Sequence, residues 1–455
     1  MKTLYLTWLL IAIASLNFAQ DPSLEIDKVL IEGNDMGQPW GMAFISADEL
    51  VFTEKSGKLF KYKISTNTKT EITGLPSIAV VGQGGLLDVA VHPDFASNKY
   101  VYLSYSISGN GGYTLAIGRG VLKNNQLTSF TQLFTALPFK SGTNHFGSRI
   151  TFDNDKHLIF SSSERQESEN AQMLSNHLGK VIRLNDEGST PNDNPFVNTP
   201  DAKPEIYSYG HRNIQGLVVH PTSGKIYAHE HGPKGGDELN LIEASKNYGW
   251  PSITFGIDYD GSVISEDTAR DGMEQPIRYW VPSIAPCGMA IVHLENQEEN
   301  EVNFIVGALS GKQIQWIKTV DDKHIETYSF LQNYARFRDV EVSPDGQLYA
   351  LTESPNKLVL LKTNQLVTAV HETTPSAAVG ILYPNPASDF VQIEVILDDE
   401  NAQVSVFTNQ GETVATDYTM NDTGIKMDIS TLKTGIYIVK VTTHNNVTSY
   451  RLNKK

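Results

Sequence analysis

The densest polar stretch of the chain, HEHGPKGGDELN from His229, gathers Glu230, Asp237 and Glu238 among Gly232, Gly235 and Gly236. Glycines let the backbone turn its carbonyls toward one point, and carboxylate plus carbonyl oxygens are the donors that a hard cation such as Ca2+ prefers. His229 and His231 are two apart and would share a strand face, so the stretch also admits a Zn2+ or Cu2+ site, or a plain polar loop. In SGTNHFGSRI, His145 stands among small and polar residues rather than in an apolar run. A histidine facing a cleft there can take a proton near neutral pH, whereas a structural one would only be hydrogen-bonded. Arg212 and Asn213 are consecutive in SYGHRNIQG, at what reads as a strand entrance. An arginine there can hold an anion, polarise a carbonyl or make a structural salt bridge. Arg336 and Arg338 in ARFRDV project on one side of a strand, which suits carboxylates or a solvated basic face.

The elements that must position these groups are short strands. A motif in which an apolar pair leads through a turn into a strand recurs as AFISADELVFTE from Ala43, VHPDFASNKYVYLSY from Val91, ITFDNDKHLIFSSS from Ile150, VVHPTSGKIYAHEH from Val218 and VEVSPDGQLYALTE from Val340. The first three steps are about 48, 59 and 68 residues; the last, about 122, spans two steps with VNFIVGAL from Val302 in the gap. Six units result, with turn residues between alternating strands and few helical periods. An all-β, six-bladed propeller over 27–363 fits this, and a stack of β-sandwiches is its structural alternative.

The ends differ from this body. Lys2 and the apolar run from Leu4 to Leu16 lead to Asn17-Phe18-Ala19, the pattern of a secretory leader covering 1–19. No later run is apolar for the roughly 20 residues that span a bilayer, so no membrane insertion is expected. Cys287 is the only cysteine and excludes an intrachain disulfide. A formal net charge of −16, or −17 once Lys2 leaves, disfavours nucleic acid. The segment 364–380 reads as a linker. Beyond it, DFVQIEVIL, AQVSVFTNQGETVAT and GIYIVKVTTHNNVTSYRLNKK alternate like a small Ig-like β-sandwich over 381–455.

Two resemblances follow from motifs in order. PWGMAF, GQGGLLDVAVHPDF, NHFGSRI, HLGKVIRLN, DNPF, EQPIRYW, PSIAPCGMA and RFRDVEVSPDG, together with the His229 stretch, resemble the soluble glucose, aldose and sorbosone dehydrogenases that use pyrroloquinoline quinone (PQQ), over about Asp27 to Leu361. YPNPASD at Tyr383 and the terminal GIYIVKV resemble the C-terminal sorting domain of the type IX secretion system. The first resemblance implies PQQ- and Ca2+-dependent oxidation of an aldose at its anomeric carbon, with an external electron acceptor. His145 would be the base. Arg212, Asn213 and Gln83 would lie against the quinone oxygens, and Arg336 and Arg338 would hold the carboxylated rim. Gly232 and Pro233 would present Ca2+ through their carbonyls, while Glu238 and the Tyr248 carbonyl would bind a further Ca2+. Three positions depart from the pattern: Asn144, counted with the cofactor residues, replaces an acid before the base; a family lysine falls at Ser310, with Lys312 as its substitute; and Trp280 is displaced by one from a tryptophan that covers substrate. The second resemblance implies recognition by type IX machinery and a secreted or cell-surface protein. The readings from other classes are a non-catalytic propeller that binds glycan or protein, and a Ca2+-dependent sugar lactonase.

Overall fold

In the computed structural model the described residues are 21–294, 297–365, 367–368, 382–383, 385–393, 403–408, 413–414, 416–421, 424–442 and 447–455. The expected leader, 1–19, lies outside them, as does most of the expected linker.

Residues 24–363 form six antiparallel sheets of four strands each, one of which gains a fifth from Val367–Thr368. Each is a meander whose first strand sits against the first strands of the two neighbouring sheets, so the six inner strands close a ring. They are Pro39–Phe44, Leu86–Val91, Gly147–Phe152, Ile214–Val219, Pro286–Leu294 and Arg336–Val342, heading blades 1 to 6. The outermost strand of blade 6 is Leu24–Glu32, which pairs with Lys357–Thr363 and so fastens the start of the propeller to its end. Asp27, the expected first residue, falls inside that strand. Val367–Thr368 pairs with Leu294 and His293 of blade 5, so part of the expected linker is sheet.

Side-chain alternation explains why these strands read as apolar runs. On the second strand of blade 1, Leu50 and Phe52 pack toward Tyr349 and Leu351 of blade 6, whereas Val51 packs toward Val101 and Leu103 of blade 2. On the second strand of blade 3, Phe160 faces blade 2 and Ile159 faces blade 4. A strand sandwiched between two blades buries both faces, so LVF, LIF and IYA need no polar partner residue. Among the described residues one apolar cluster lies between each pair of adjacent blades, six in all, and this ring replaces a single core. A stack of sandwiches would not close in this way.

The C-terminal part forms two four-stranded sheets around a separate core that includes Val391, Ile393, Val406, Ile425, Met427, Val439 and Leu452. No helix among the described residues is long and apolar enough to cross a membrane.

Candidate active site

Every inner strand carries a register shift near its start: between Pro39 and Met42, Leu86 and Val89, Gly147 and Ile150, Ile214 and Gly216, Cys287 and Met289, and Phe337 and Asp339. Such bulges bend a strand and re-aim a side chain. In three blades a hydroxyl on the second strand accepts the amide that the bulge frees, with Gly41 N to Thr53 Oγ1 at 3.0 Å, Asp88 N to Ser104 Oγ at 2.8 Å and Arg149 N to Ser161 Oγ at 3.1 Å. The bulges turn Trp40, Leu87, Ser148, Gln215 and Arg338 toward the axis, where all five line one cavity of about 310 Å³. The strands are antiparallel, so the starts of inner strands and the ends of second strands lie at the same mouth. Gln38, Gln83, Asn213, Ala285 and Arg336 reach the cavity from the first set, and Lys55, His231, Leu309 and Glu353 from the second.

Below this cavity the axis is plugged. Arg149 Nη1 meets Asp339 at 2.7 Å and Asp88 at 3.3 Å, and its guanidinium lies 4.4 Å from the Trp40 ring. The carboxylates also accept Met42 N and Ile150 N, so blades 1, 2, 3 and 6 are tied at one point.

His145 is 6 % exposed and adopts φ 53°, in the left-handed region that few non-glycine residues occupy. Its amide donates to Gln83 Oε1 at 2.9 Å, and its Nδ1 lies 2.9 Å from both oxygens of Glu164, itself 2 % exposed. The neighbouring Arg165 donates to the carbonyls of Asn144, Tyr113 and Gly142, clamping the backbone that carries the histidine. The expectation that Asn144 leaves His145 without carboxylate support is therefore corrected: the charge comes from Glu164, nineteen residues on. Asn144 itself is half-buried, with its amide on Gln166 at 2.9 Å, and does not line the cavity.

Arg212 is almost fully buried; its Nη1 donates to the carbonyls of His231 (2.9 Å) and Gly232 (3.1 Å), while its Nε has no partner among the described residues. Asn213 Oδ1 accepts from Ser163 Oγ at 2.8 Å and from Gln215 Nε2 at 3.2 Å. Arg338 Nε binds Glu353 at 2.6 Å and Arg336 Nε lies 3.5 Å from the same carboxylate, so each guanidinium keeps nitrogens for a ligand. Lys312 is exposed on the turn after Ala308 and does not line the cavity; the lysine that does is Lys55. Trp280 is buried, its indole donating to Gln315 at 2.8 Å, while Val281 is exposed, so neither places a tryptophan over the mouth.

A smaller cavity adjoins the first. Glu230, Glu238, Gly232, Gly236 and Tyr248 line it with Arg212 and Trp250. Glu230 is engaged by His211 Nδ1 (3.0 Å) and Arg212 N, but among the described residues Glu238 accepts only Asn240, at 3.1 Å. Burial, and then the nearby Glu230, push Glu238 up to about 8. Asp237 does not join them: it accepts Gly232 N, Ser283 Oγ and the amides of Ile284 and Ala285, fixing the loop. At Gly232 an added Cβ would sit 2.2 Å from Gly235 O, so only glycine allows this approach of carbonyls. A carboxylate with no basic partner beside a second carboxylate and main-chain oxygens fits a hard divalent cation. The two histidines of the stretch do not converge as a softer metal would need. His229 Nε2 meets Gly288 O at 3.2 Å and His231 Nε2 meets Pro286 O at 2.8 Å. Burial lowers His229 to about 3 and His231 well below its usual value.

The larger cavity fits a planar polyanion. Lys55, Arg336 and Arg338 outnumber Glu353, the single lining carboxylate, and Trp40, Leu87, Phe146 and Leu309 give apolar faces. Sequence reasoning found residues just before or at the start of inner strands and missed Lys55, Glu164 and Glu353, which end or follow second strands. The signal was present: the second strands of blades 1, 4 and 6 end in Glu54, Glu230 and Glu353, and Glu164 follows that of blade 3 by two residues.

A six-bladed propeller with a cation-rich axial cavity, a carboxylate-backed histidine and an acidic side pocket defines a class, and comparison gives its membership. The Glucose / Sorbosone dehydrogenase family model matches residues 36–361, and the chain belongs to that family. The Secretion system C-terminal sorting domain model matches 381–455. The aldose sugar dehydrogenase YliI of Escherichia coli is 38% identical over 325 residues, which cover 70% of this chain and 88% of that one. The crystal structure of the soluble aldose sugar dehydrogenase of Escherichia coli, in its apo form, superposes with TM-score 0.68 at 34% identity, covering 75% of this chain and 99% of that one. The PQQ-bound aldose sugar dehydrogenase of Streptomyces coelicolor superposes with TM-score 0.62 at 26% identity, covering 75% and 98%.

Proposed function

We propose that this chain is an exported dehydrogenase that depends on PQQ and Ca2+ and oxidises an aldose-type sugar at its anomeric carbon to the lactone. The observation that carries this reading is the His145–Glu164 pair beside a cation-lined cavity. With Nδ1–H donating to Glu164, the imidazole keeps its lone pair on Nε2, which has no partner among the described residues. Nε2 takes the proton of the anomeric hydroxyl, and the Glu164 carboxylate stabilises the imidazolium that forms. When bound, PQQ supplies the two-electron acceptor for the hydride leaving the anomeric carbon. Arg212 and Asn213 offer donors where negative charge accumulates. Gln83 holds the main chain of the base. Arg336, Arg338 and Lys55 neutralise the carboxylates of the cofactor. The carbonyls of Gly232 and Pro233 would present a Ca2+ to the cofactor, and Glu238 with the Tyr248 carbonyl, beside Glu230 in the smaller cavity, would hold a further one.

A non-catalytic, glycan-binding propeller has less to support it, since Glu164 supplies the charge that Asn144 lacks and Lys55 a cation where Ser310 has none. The leader at 1–19 and the sorting domain support delivery to the cell surface or medium through type IX machinery. The test is dye-linked oxidation of a panel of aldoses by the mature protein loaded with PQQ and Ca2+, with the lactone identified as product. H145A should abolish turnover with the quinone still bound; unchanged turnover in H145A would remove the assigned base.

A further inference from the structure

Glu164, which backs His145, belongs to the segment 163–179 that joins two strands of blade 3, Leu158–Ser162 and Lys180–Leu184. The first half of this segment is held from within. Asn170 Nδ2 donates to Glu164 O at 3.3 Å, and the wholly buried Lys180 gives its ammonium to the carbonyls of Asn170 (2.7 Å), Ala171 (3.0 Å) and Leu178 (2.6 Å). An ammonium has three donors and all three are used, so residues 164–171 form one strap. Main-chain bonds tie the strap to the entrance of the blade 4 inner strand, Glu164 N to Arg212 O at 3.2 Å and Gly210 N to Ala171 O at 2.9 Å. Gln172, at its end, reaches further. Its Nε2 donates to Asn247 Oδ1 at 3.0 Å and to Trp250 O at 2.7 Å, and its Oε1 accepts Asn247 Nδ2 at 2.8 Å. Two primary amides bonded reciprocally fix each other's orientation. Among the described residues these are the strap's only hydrogen bonds to the segment 247–250, of which Tyr248 and Trp250 line the smaller cavity with Glu238. Gln172 and Asn247 themselves line neither cavity.

We propose that Gln172 is a positioning residue that joins the strap carrying Glu164 to the cation loop, so that a divalent cation held by Glu238 and Tyr248 also stiffens the support of the base. This rests on the reading of the smaller cavity as a Ca2+ site. Glu238 has no basic partner among the described residues and lies near Glu230, a repulsion that a divalent cation relieves. Order gained at 247–250 passes through the amide pair to residues 164–172, and two sites that are ordered together are coupled without any change of shape.

Amide hydrogen exchange on the PQQ-free mature protein tests this, since it needs neither quinone nor sugar. Calorimetry first reads Ca2+ binding, which should be saturable in the wild type and weaker by about tenfold or more in E238Q. No binding, or none lost in E238Q, would sink the cation reading and the proposal with it. Saturating Ca2+ should then slow exchange over residues 163–173 by about fivefold or more in the wild type. In Q172M, which keeps the length and loses all three bonds, the slowing should fall below about twofold. Q172E, which keeps only the bond from Asn247 Nδ2, should behave alike. A residue that merely held the fold would loosen the strap equally with and without Ca2+. Ca2+-dependent slowing that survives in either folded variant, or Ca2+ binding that leaves 163–173 unslowed in the wild type, would overturn the link and leave the cation reading standing.

Discussion

Blades 3 and 4 bury histidines at the same mouth of the axis and put them to different use. In blade 3 the ring of His145 meets a buried carboxylate, Glu164, and its other nitrogen is left unpartnered. In blade 4 the rings of His229 and His231 meet main-chain carbonyls, and burial keeps both neutral. The carboxylates of blade 4 divide: Glu230 pairs with His211 Nδ1 at 3.0 Å, a ring whose other nitrogen is already tied to Ser208 Oγ, and Glu238 lies near Glu230 with no basic partner among the described residues. Burial is similar in the two blades, so on the proposed reading it is partner identity that assigns blade 3 to moving a proton and blade 4 to holding a cation.

The largest effect should come from taking the charge out of blade 3. E164Q keeps the shape and the hydrogen bond but not the carboxylate, and sugar oxidation at neutral pH should fall by roughly a hundredfold or more. PQQ affinity, titrated by absorption, should change less than twofold. An equal loss of binding would show that Glu164 serves the cavity rather than the base, and the contrast between the blades would collapse.

Next in size is R338A, which removes charge-assisted bonds to the ligand; the PQQ dissociation constant should rise by roughly tenfold to a hundredfold. R336A should cost less, because Arg336 is the more exposed of the two.

The neutral histidines of blade 4 give a pH signature. His229 has a folded pKa of about 3, below its unfolded value near 6.5, so the unfolded chain binds the extra proton between those limits. Stability from this group is complete above about pH 6.5 and is lost as pH falls toward 3, by up to about 1.4 kcal/mol per pH unit. Urea midpoints measured from pH 7 to 4 should fall, and H229Q should flatten the slope. An unchanged slope in H229Q would mean that His229 is protonated in the folded protein, against the comparison drawn above.

The smallest effects separate two lysines. K55A should weaken PQQ binding by about tenfold, whereas K312A should alter it less than twofold. The opposite order in the same titration would return the cofactor cation to the blade 5 turn.

These lysines also mark where sequence reasoning stops. The propeller was legible because each blade repeats one hairpin whose second strand is buried on both faces, as LVF at Leu50 and LIF at Leu158 record. His145, Arg212, Asn213, Arg336 and Arg338 were legible because they cluster just before or at the start of inner strands in recognisable motifs. Glu164 was not, since its pairing with His145 exists only once an antiparallel hairpin brings position 145 back to 164. Lys55 was hidden for a like reason: it sits in blade 1, far along the chain from Arg336 and Arg338, and only ring closure makes them neighbours. The six bulges, which aim Trp40, Gln215 and Arg338 at the axis, leave no mark in composition or period.

The most direct test of the central claim is to titrate metal-stripped mature protein with PQQ and Ca2+ by absorption, and then to add aldoses. Saturable, Ca2+-dependent binding followed by sugar-driven bleaching of the quinone, lost in H145A and slowed in E164Q, is the predicted result. No binding at micromolar PQQ, or a bound quinone that no aldose reduces, would contradict it.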